Sequence, residues 1–225
     1  MTAIILAGGF GTRLREVIKD VPKPMADING KPFLEILLRH LKKSSIKKVV
    51  LSVGYKQEAI VEYFKDSFAG IDIIYIKEDK PLGTGGAIKR ALEKIDDTQV
   101  FVLNGDTFFD IDLEDMKNFH LKSCADITIS LKKMKNFDRY GSVILDKNRV
   151  LKFNEKRFVK SGYINGGIYI LKTDILKDQE DIFSFEEYLS KTQKAIYGYK
   201  SDRYFIDIGI PKDYYKAQKD LVTWL

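Results

Sequence analysis

The feature that most narrows the possible folds is an alternation of two periodicities. Short apolar runs at Thr2–Ala7, Ile46–Val53, Ile71–Ile76 and Val100–Leu103 have the length and β-branched content of buried strands. Each is followed by a stretch with helical spacing. Phe33, Leu34, Leu37, Leu38 and Leu41 form the first, Gln57–Lys65 the second and Gly85–Ile95 the third. The fourth is capped by Asp112 with Asp115 and runs to about Lys122. Strands and helices in strict turn predict βαβ units. The expected fold is therefore α/β and Rossmann-like, a mixed, mainly parallel sheet with helices on both faces. The texture then changes. Asp126–Leu131, Ser142–Leu145, Val150–Phe153 and Tyr163–Leu171 read as strands with short connections, an antiparallel or mixed extension of the sheet. Ser184 and Glu187 form a capping box, and Pro211 opens a last helix. Tyr214, Tyr215, Leu221 and Trp224 are expected to pack against the sheet or, at the aromatic tail, on a second copy in a homodimer.

No Pro/Gly/Ser-rich linker and no fixed-period repeat interrupts the 225 residues, so a single domain over 1–225 is expected. The 38 basic and 32 acidic residues are spread along the chain. Lys42-Lys43 and Lys47-Lys48 read as a solvated rim, and no nucleic-acid partner is expected. No segment is apolar and long enough to span a bilayer, so no membrane partner is expected either. The start "MTAIILAGG" lacks the basic region of a signal peptide. The lone Cys124 has no internal disulfide partner and reads as a small buried residue; a cytoplasmic setting is expected. His40 and His120 fall within helical patterns and read as structural.

In open α/β sheets, ligands sit beyond the carboxyl ends of the strands. The first strand ends in "IILAGGFGTRL". A P-loop would need a Lys-Ser/Thr pair after the glycines, and none follows. A dinucleotide fingerprint would need a third glycine where Leu14 stands and an acid after the second strand, which ends "SVGY". The remaining ligand reading is a nucleoside triphosphate held by the backbone of Gly8, Gly9 and Gly11, with the Thr12 hydroxyl and Arg13 guanidinium as added donors. Taken alone, these glycines also suit a tight turn with Arg13 on the surface. Residues downstream favour the ligand. "VPKPM" sets Lys23 between two prolines that stiffen the backbone. "PLGTGGAIKRAL" is a second glycine loop opening a helix, suited to close approach by a base or ribose and equally to a simple turn into the helix. "LNGD" ends an apolar strand with Gly105 and Asp106, where a carboxylate can hold Mg²⁺ beside phosphates. Asp207 in "YFIDIGIP" is an acid among apolar neighbours that needs a partner if buried, and a metal supplies one.

The ordered set "LAGGFGTRL…KPM…GTGGA…NGD…NEK…INGGIY…DIGIP" resembles the sugar-1-phosphate nucleotidyltransferases over nearly the whole chain. "RLREVI" departs from the "RLxPxT" common in that family. With "KDVPKPMADINGKPFLE" and "DIGIPKDYYKAQ", the chain is most similar to the guanylyltransferases acting on D-glycero-α-D-manno-heptose 1-phosphate. The resemblance implies the nucleotide-diphospho-sugar transferase type of fold, with a nucleotide-binding half at about 1–110 and a sugar-binding half at about 111–225. It implies two substrates, a nucleoside triphosphate, GTP in this subgroup, and a sugar 1-phosphate, the manno-heptose phosphate or, as the alternative, mannose 1-phosphate or another sugar 1-phosphate. Asp106 and Asp207 would hold Mg²⁺. Arg13, Lys23 and Asp106 would be catalytic. Leu6, Ala7, Leu82, Gly83, Thr84 and Gly105 would bind nucleotide together with Gly8, Gly9, Gly11 and Thr12. Glu155, Lys156, Tyr140, Gly141, Asn165 and Gly166 would bind the sugar phosphate, the glycines making room for a ring, while Tyr169 is structural. No hexapeptide-repeat extension follows the last helix, so no second acetyltransferase activity is expected. Two other classes are weighed. A glycosyltransferase would use a D-x-D motif, but "DID" at Asp110–Asp112 leads into a helix and caps it. A non-catalytic nucleotide-sensing module has no need of intact Arg13, Lys23, Asp106 and Asp207.

Overall fold

Successive side chains of β1 (Thr2–Ala7) point to opposite faces, and both faces are buried. Ala3, Ile5 and Ala7 join one hydrophobic core and Ile4 the other. A strand apolar on both sides can sit only inside a sheet covered twice. The computed structural model describes residues 1–9, 14, 17, 18, 21–78 and 80–224. Through the first half the elements are β2 (Asp27–Ile28), β3 (Lys31–Pro32), α1 (Phe33–Lys42), β4 (Lys48–Val53), α2 (Gln57–Phe64), β5 (Ser67–Phe68), β6 (Ile71–Lys77), α3 (Gly83–Leu92) and β7 (Gln99–Asn104). The second half adds β8 (Thr107–Phe109), α4 (Leu113–Lys122), β9 (Ile127–Phe137), β10 (Ser142–Asp146), β11 (Arg149–Phe153) and β12 (Val159–Lys172). It closes with α5 (Phe185–Lys191), β13 (Ile196–Ser201), β14 (Phe205–Asp207) and α6 (Pro211–Asp220).

Ten strands form one sheet in the order β10-β11-β13-β9-β12-β7-β1-β4-β6-β5. β1 runs parallel to β4 and β7, and β4 to β6. β12 enters antiparallel between β7 and β9, and β13 is parallel to β9. The fold is thus a mixed α/β sheet, as the alternation predicts, with the strands of the first half, β7, β1, β4 and β6, running parallel. From β1 the chain steps outward to β4 and β6 and then returns to place β7 on the other side of β1. That reversal opens a crevice at the carboxyl ends of β1 and β7. On α1, Leu34, Leu37, Leu38 and Leu41 are buried, each contributing about 1.5–3 kcal/mol by leaving water.

Several boundaries differ from the sequence reading. Helix α3 begins two residues earlier, at Gly83 (φ +72°), because this position has no Cβ; one would lie 2.4 Å from the Phe183 carbonyl oxygen. β9 and β12 are longer than expected because they pair with each other as far as Phe137 and Val159. The capping box forms by half: Ser184 Oγ accepts from the Glu187 amide, while the Glu187 carboxylate turns to Lys191. Asp112 caps α4 through the amides of Glu114 and Asp115. Trp224 closes the core within the chain, stacked on Tyr204 with ring centroids 5.4 Å apart and edge-on to Phe108. Cys124 is a correction. It is exposed, in the turn after α4 at φ +49°, because the chain reverses there before β9.

Both histidines are buried. His40 meets the Phe108 ring edge, and His120 Nδ1 lies 2.8 Å from Thr128 Oγ1 at 1% exposure. Burial, helped by the Lys172 charge, pushes the His120 pKa down to about 4. An unfolded histidine titrates near about 6.5. The unfolded chain therefore binds more protons between these values, and the stability held by neutral His120 is present above the upper one and lost as pH falls toward the lower. The thermal midpoint is expected to drop as pH falls from about 6.5 to about 4.5 and to drop less in His120→Gln. Equal slopes for the two proteins would refute this account.

Candidate active site

The crevice holds a cavity of about 580 Å³. Its floor is the end of β1, from Leu6 to Gly9, and the turn Asn104-Gly105-Asp106 after β7. Gly54, Tyr55, Glu78, Lys80 and Pro81 line one side, where β4 and β6 end. Gly83, Thr84 and Ala87 of α3, with Glu186 of α5, line another, and Lys23 and Pro24 reach in from the third. The Gly105 amide donates to the Leu6 carbonyl at 3.0 Å, which ties the two floor strands together beyond their last ladder pair. Gly9 is open, with nothing within 4 Å of where a Cβ would stand.

At one end of the cleft two carboxylates face a lysine. Pro22 and Pro24 hold Lys23 at the start of a 3₁₀ turn, closed by Met25 N–H to Pro22 O at 2.8 Å and Ala26 N–H to Lys23 O at 3.0 Å. Lys23 Nζ donates to Asp106 Oδ2 at 2.5 Å. Asp106 and Asp207 are brought together by the two-stranded ribbon of β8 and β14, in which Asp207 pairs with Thr107 and the Ile208 amide donates to Asp106 O at 3.0 Å. Thr107 Oγ1 donates to Asp106 Oδ1 at 3.1 Å, and the Gly209 amide to Asp207 Oδ1 at 2.7 Å. Burial raises the pKa of Asp207 and the Asp106 charge raises it further, against the pull of Lys23, the Gly209 amide and Arg139. Two hard oxygen donors that repel each other beside an open cleft suit a small divalent cation. Among the described residues no three His, Cys, Asp or Glu side chains converge on a metal position. The rest of such a cation's shell would come from phosphate and water oxygens.

The cleft therefore gathers Leu6, Ala7, Gly8, Gly9, Lys23, Gly83, Thr84, Gly105 and Asp106, as the sequence reading expects, and the ribbon adds Asp207 beside them. Gly11, Thr12 and Arg13 lie outside the described residues. Leu82 is buried; its amide donates to Glu78 Oε2 at 3.3 Å. Tyr140, Gly141, Glu155, Lys156, Asn165 and Gly166 do not line this cavity. Glu155 and Lys156 lie exposed on the turn between β11 and β12. Three glycine readings need correction. At Gly166 a Cβ would come within 2.5 Å of the Phe109 ring, so the room there belongs to Phe109. At Gly141 it would lie 2.5 Å from the Asn154 carbonyl oxygen. At Gly85 and Gly86 it would meet the Phe183 ring and the Asp181 carbonyl, so the second glycine loop packs against the segment that leads into α5 as well as facing the cleft. The Asn165 amide turns to its own chain, donating to the Tyr169 hydroxyl at 2.7 Å and accepting from the Gly167 amide at 2.9 Å.

Glu78, Tyr55, Lys80 and Glu186 escaped the sequence reading. Glu78 follows an apolar strand just as Asp106 does, and that position was the available signal. Its Oε1 accepts from Ser52 Oγ at 2.8 Å. Thr84 Oγ1 donates to Glu186 Oε2 at 2.7 Å and accepts from the Phe185 amide at 2.9 Å, so α5 is latched onto the rim of the cleft.

A family model described as nucleotidyl transferase matches residues 2–223. A D-glycero-α-D-manno-heptose 1-phosphate guanylyltransferase from Campylobacter jejuni is 54% identical over 220 residues, covering 96% of this chain and 97% of that protein. One of the same description from Aneurinibacillus thermoaerophilus is 50% identical over the full length of both. The crystal structure of HddC from Yersinia pseudotuberculosis complexed with GMP-PN superposes with a TM-score of 0.89 at 41% identity, covering 98% of this chain and 99% of that one.

The repulsion between the carboxylates has a consequence for stability. Asp207→Asn keeps the shape and removes the buried charge, so without metal the thermal midpoint is expected to rise by about 2–4 °C, as when a functional site is relieved of strain. A fall in midpoint, measured by calorimetry, would show that Asp207 is not held against a like charge.

Proposed function

The chain belongs to the nucleotidyl transferase family, and we propose that it transfers GMP from GTP to D-glycero-α-D-manno-heptose 1-phosphate, releasing pyrophosphate and GDP-heptose. It is an enzyme of the sugar-1-phosphate nucleotidyltransferase class. The observation that carries the base assignment is Glu78. A carboxylate only accepts hydrogen bonds, and each of its oxygens retains a lone pair beyond the bonds from Ser52 and Leu82. Guanine is the base that presents two adjacent donors, N1–H and the N2 amino group. Adenine and cytosine set a ring acceptor beside their amino group, and uracil and thymine flank one N–H with two carbonyls. A carboxylate at the base end of the cleft therefore favours guanine, which satisfies both oxygens, whereas each other base sets an acceptor beside its donor.

The reaction needs no protein base. The second ionisation of a phosphate monoester lies near about 6, so the attacking oxygen of the sugar phosphate is already an anion at neutral pH. One of its oxygens bonds to the α-phosphorus as the bond from that phosphorus to the bridging oxygen breaks, and the electron pair leaves with pyrophosphate. The obstacle is repulsion between two polyanions, met by cations in fixed places. Lys23, stiffened by its prolines, presents Nζ beside Asp106 at the reacting end of the cleft. Asp106 and Asp207 would hold Mg²⁺, which when bound withdraws charge from the α-phosphate. Gly8 and Gly9 would bring backbone amides to the phosphates; for Gly11, Thr12 and Arg13, which lie outside the described residues, the phosphate-binding role rests on the family resemblance alone. Glu155 and Lys156, on their exposed turn, would meet the sugar hydroxyls and the sugar phosphate. A triphosphate substrate suits a cytoplasmic reaction, and the product suits supply of an activated heptose for capsule or lipopolysaccharide.

Two measurements test this reading. Mg²⁺-dependent pyrophosphate release, with GTP, ATP, CTP, UTP and dTTP each crossed with heptose, mannose and glucose 1-phosphates, is expected with GTP and the manno-heptose phosphate. Release with mannose 1-phosphate alone would overturn the sugar assignment, and release with a pyrimidine triphosphate alone the base. Glu78→Gln keeps the shape but offers a donor in place of an acceptor. Its kcat/KM for GTP is expected to fall about 10–100-fold, that for UTP to fall less, and a constant ratio would rule Glu78 out as the base reader.

A further inference from the structure

The loop between β9 and β10, "DRYG", does not meet the cleft, yet it reaches the ribbon that carries the metal-site acids. The Arg139 guanidinium hydrogen-bonds to Asp213, in the first turn of α6. Its Cζ lies 5.4 Å from the centroid of the Tyr140 ring. The Tyr140 ring stands edge-on to Phe205, centroids 6.2 Å apart, and its hydroxyl donates to Asp207 Oδ2 at 3.4 Å. The backbone just beyond is pressed against Asn154 at Gly141. The loop is thus held at both ends, and between them a single phenol faces Asp207.

Asp207 needs such a partner. It ends a three-residue strand, and the Gly209 amide fixes only its Oδ1. With one oxygen held, the carboxylate can still swing about that bond. A donor on Oδ2 fixes its plane and leaves each oxygen a further lone pair for a cation. The bond is long as it stands, which is common where a site tightens only around its ligands. Arg139 contributes by charge as well, opposing the push of Asp106 on Asp207.

We propose that Arg139 and Tyr140 are positioning residues for Asp207: Arg139, anchored on Asp213, holds the Tyr140 ring so that its hydroxyl orients the carboxylate toward the cation site. The inference rests on the reading of Asp106 and Asp207 as that site. It gives Tyr140 a different task from the sugar contact that family resemblance implies. Groups behind a metal ligand typically change metal affinity about 10–100-fold when removed.

The test uses the full chain with GTP present and Mn²⁺ as the spectroscopic probe. Electron paramagnetic resonance gives the Mn²⁺ affinity without turnover, and steady-state assays give the Michaelis constants. Tyr140→Phe is expected to weaken Mn²⁺ binding about 3–10-fold and Arg139→Ala about 10-fold or more. Arg139→Lys is expected to fall between wild type and Arg139→Ala, since it keeps the charge but loses the fork and the stacking. The Michaelis constant for the sugar phosphate is expected to stay within about twofold in Tyr140→Phe, which loses one oxygen atom and keeps the ring that packs on Phe205. Unchanged Mn²⁺ affinity in Tyr140→Phe overturns the inference, and a raised sugar-phosphate constant alongside it assigns the phenol to the sugar. Asp106→Asn in the same titration keeps the two levels apart. If it leaves Mn²⁺ binding intact, the cation-site reading itself fails; if it abolishes binding while Tyr140→Phe does nothing, only the positioning role fails.

Discussion

Asp106 and Asp207 are held near enough for each carboxylate's charge to oppose the other's. Much of the surrounding structure serves to enforce that proximity. The β8–β14 ribbon exists to pair residues that are far apart in sequence, and it ends at the two acids. Two prolines fix the turn that carries Lys23 to Asp106. The Gly209 amide fixes one side of Asp207, and a loop from the far edge of the sheet reaches the other. A stable protein has no need to bring two carboxylates together in a half-buried place. A protein that must bring a polyphosphate and a second phosphate together does, because a cation gathered there lowers the repulsion between them.

The cleft divides its charges by location. Lys23 and the paired acids stand at one end, the reacting end in the proposed mechanism; Glu78 stands where β6 runs out, beside the backbone of Gly8. The sheet produces this separation. β1 is central, so the turns after β4 and β6 lie to one side of its end and the turn after β7 to the other. A nucleotide laid across the end of β1 would have its base on the first side and its phosphates on the second. The glycine at Gly9, open to the cleft, is where backbone and phosphate can meet.

Much of this was legible in the sequence because it follows from period and position. Alternating strand and helix patterns gave the α/β sheet, and strands β1, β4, β6 and β7 fall within about two residues of their apolar runs, the usual margin for such boundaries. Asp106, Lys23 and the first glycines stand at strand ends or on stiff turns, where chemistry is expected. Other features depend on what packs against what. A glycine leaves the same gap whether a ligand or a protein ring fills it, so Gly166 against Phe109 and Gly85 against Phe183 could not be told from ligand glycines. Glu78 lies among Lys77, Asp79 and Lys80, and the charged run hid its position at a strand end. Cys124 suits a core by composition, but its place is set by a chain reversal that leaves it outside.

The central claim is that Asp106 and Asp207 jointly hold the cation that brings the phosphates together. Anomalous diffraction from crystals grown with Mn²⁺ and a non-hydrolysable GTP analogue tests it most directly. The account predicts a peak bridged by both carboxylates and by the nucleotide phosphates, with Lys23 Nζ drawn from Asp106 to a phosphate oxygen. A peak held by the phosphates alone, with Asp207 turned away and Lys23 still on Asp106, would contradict it.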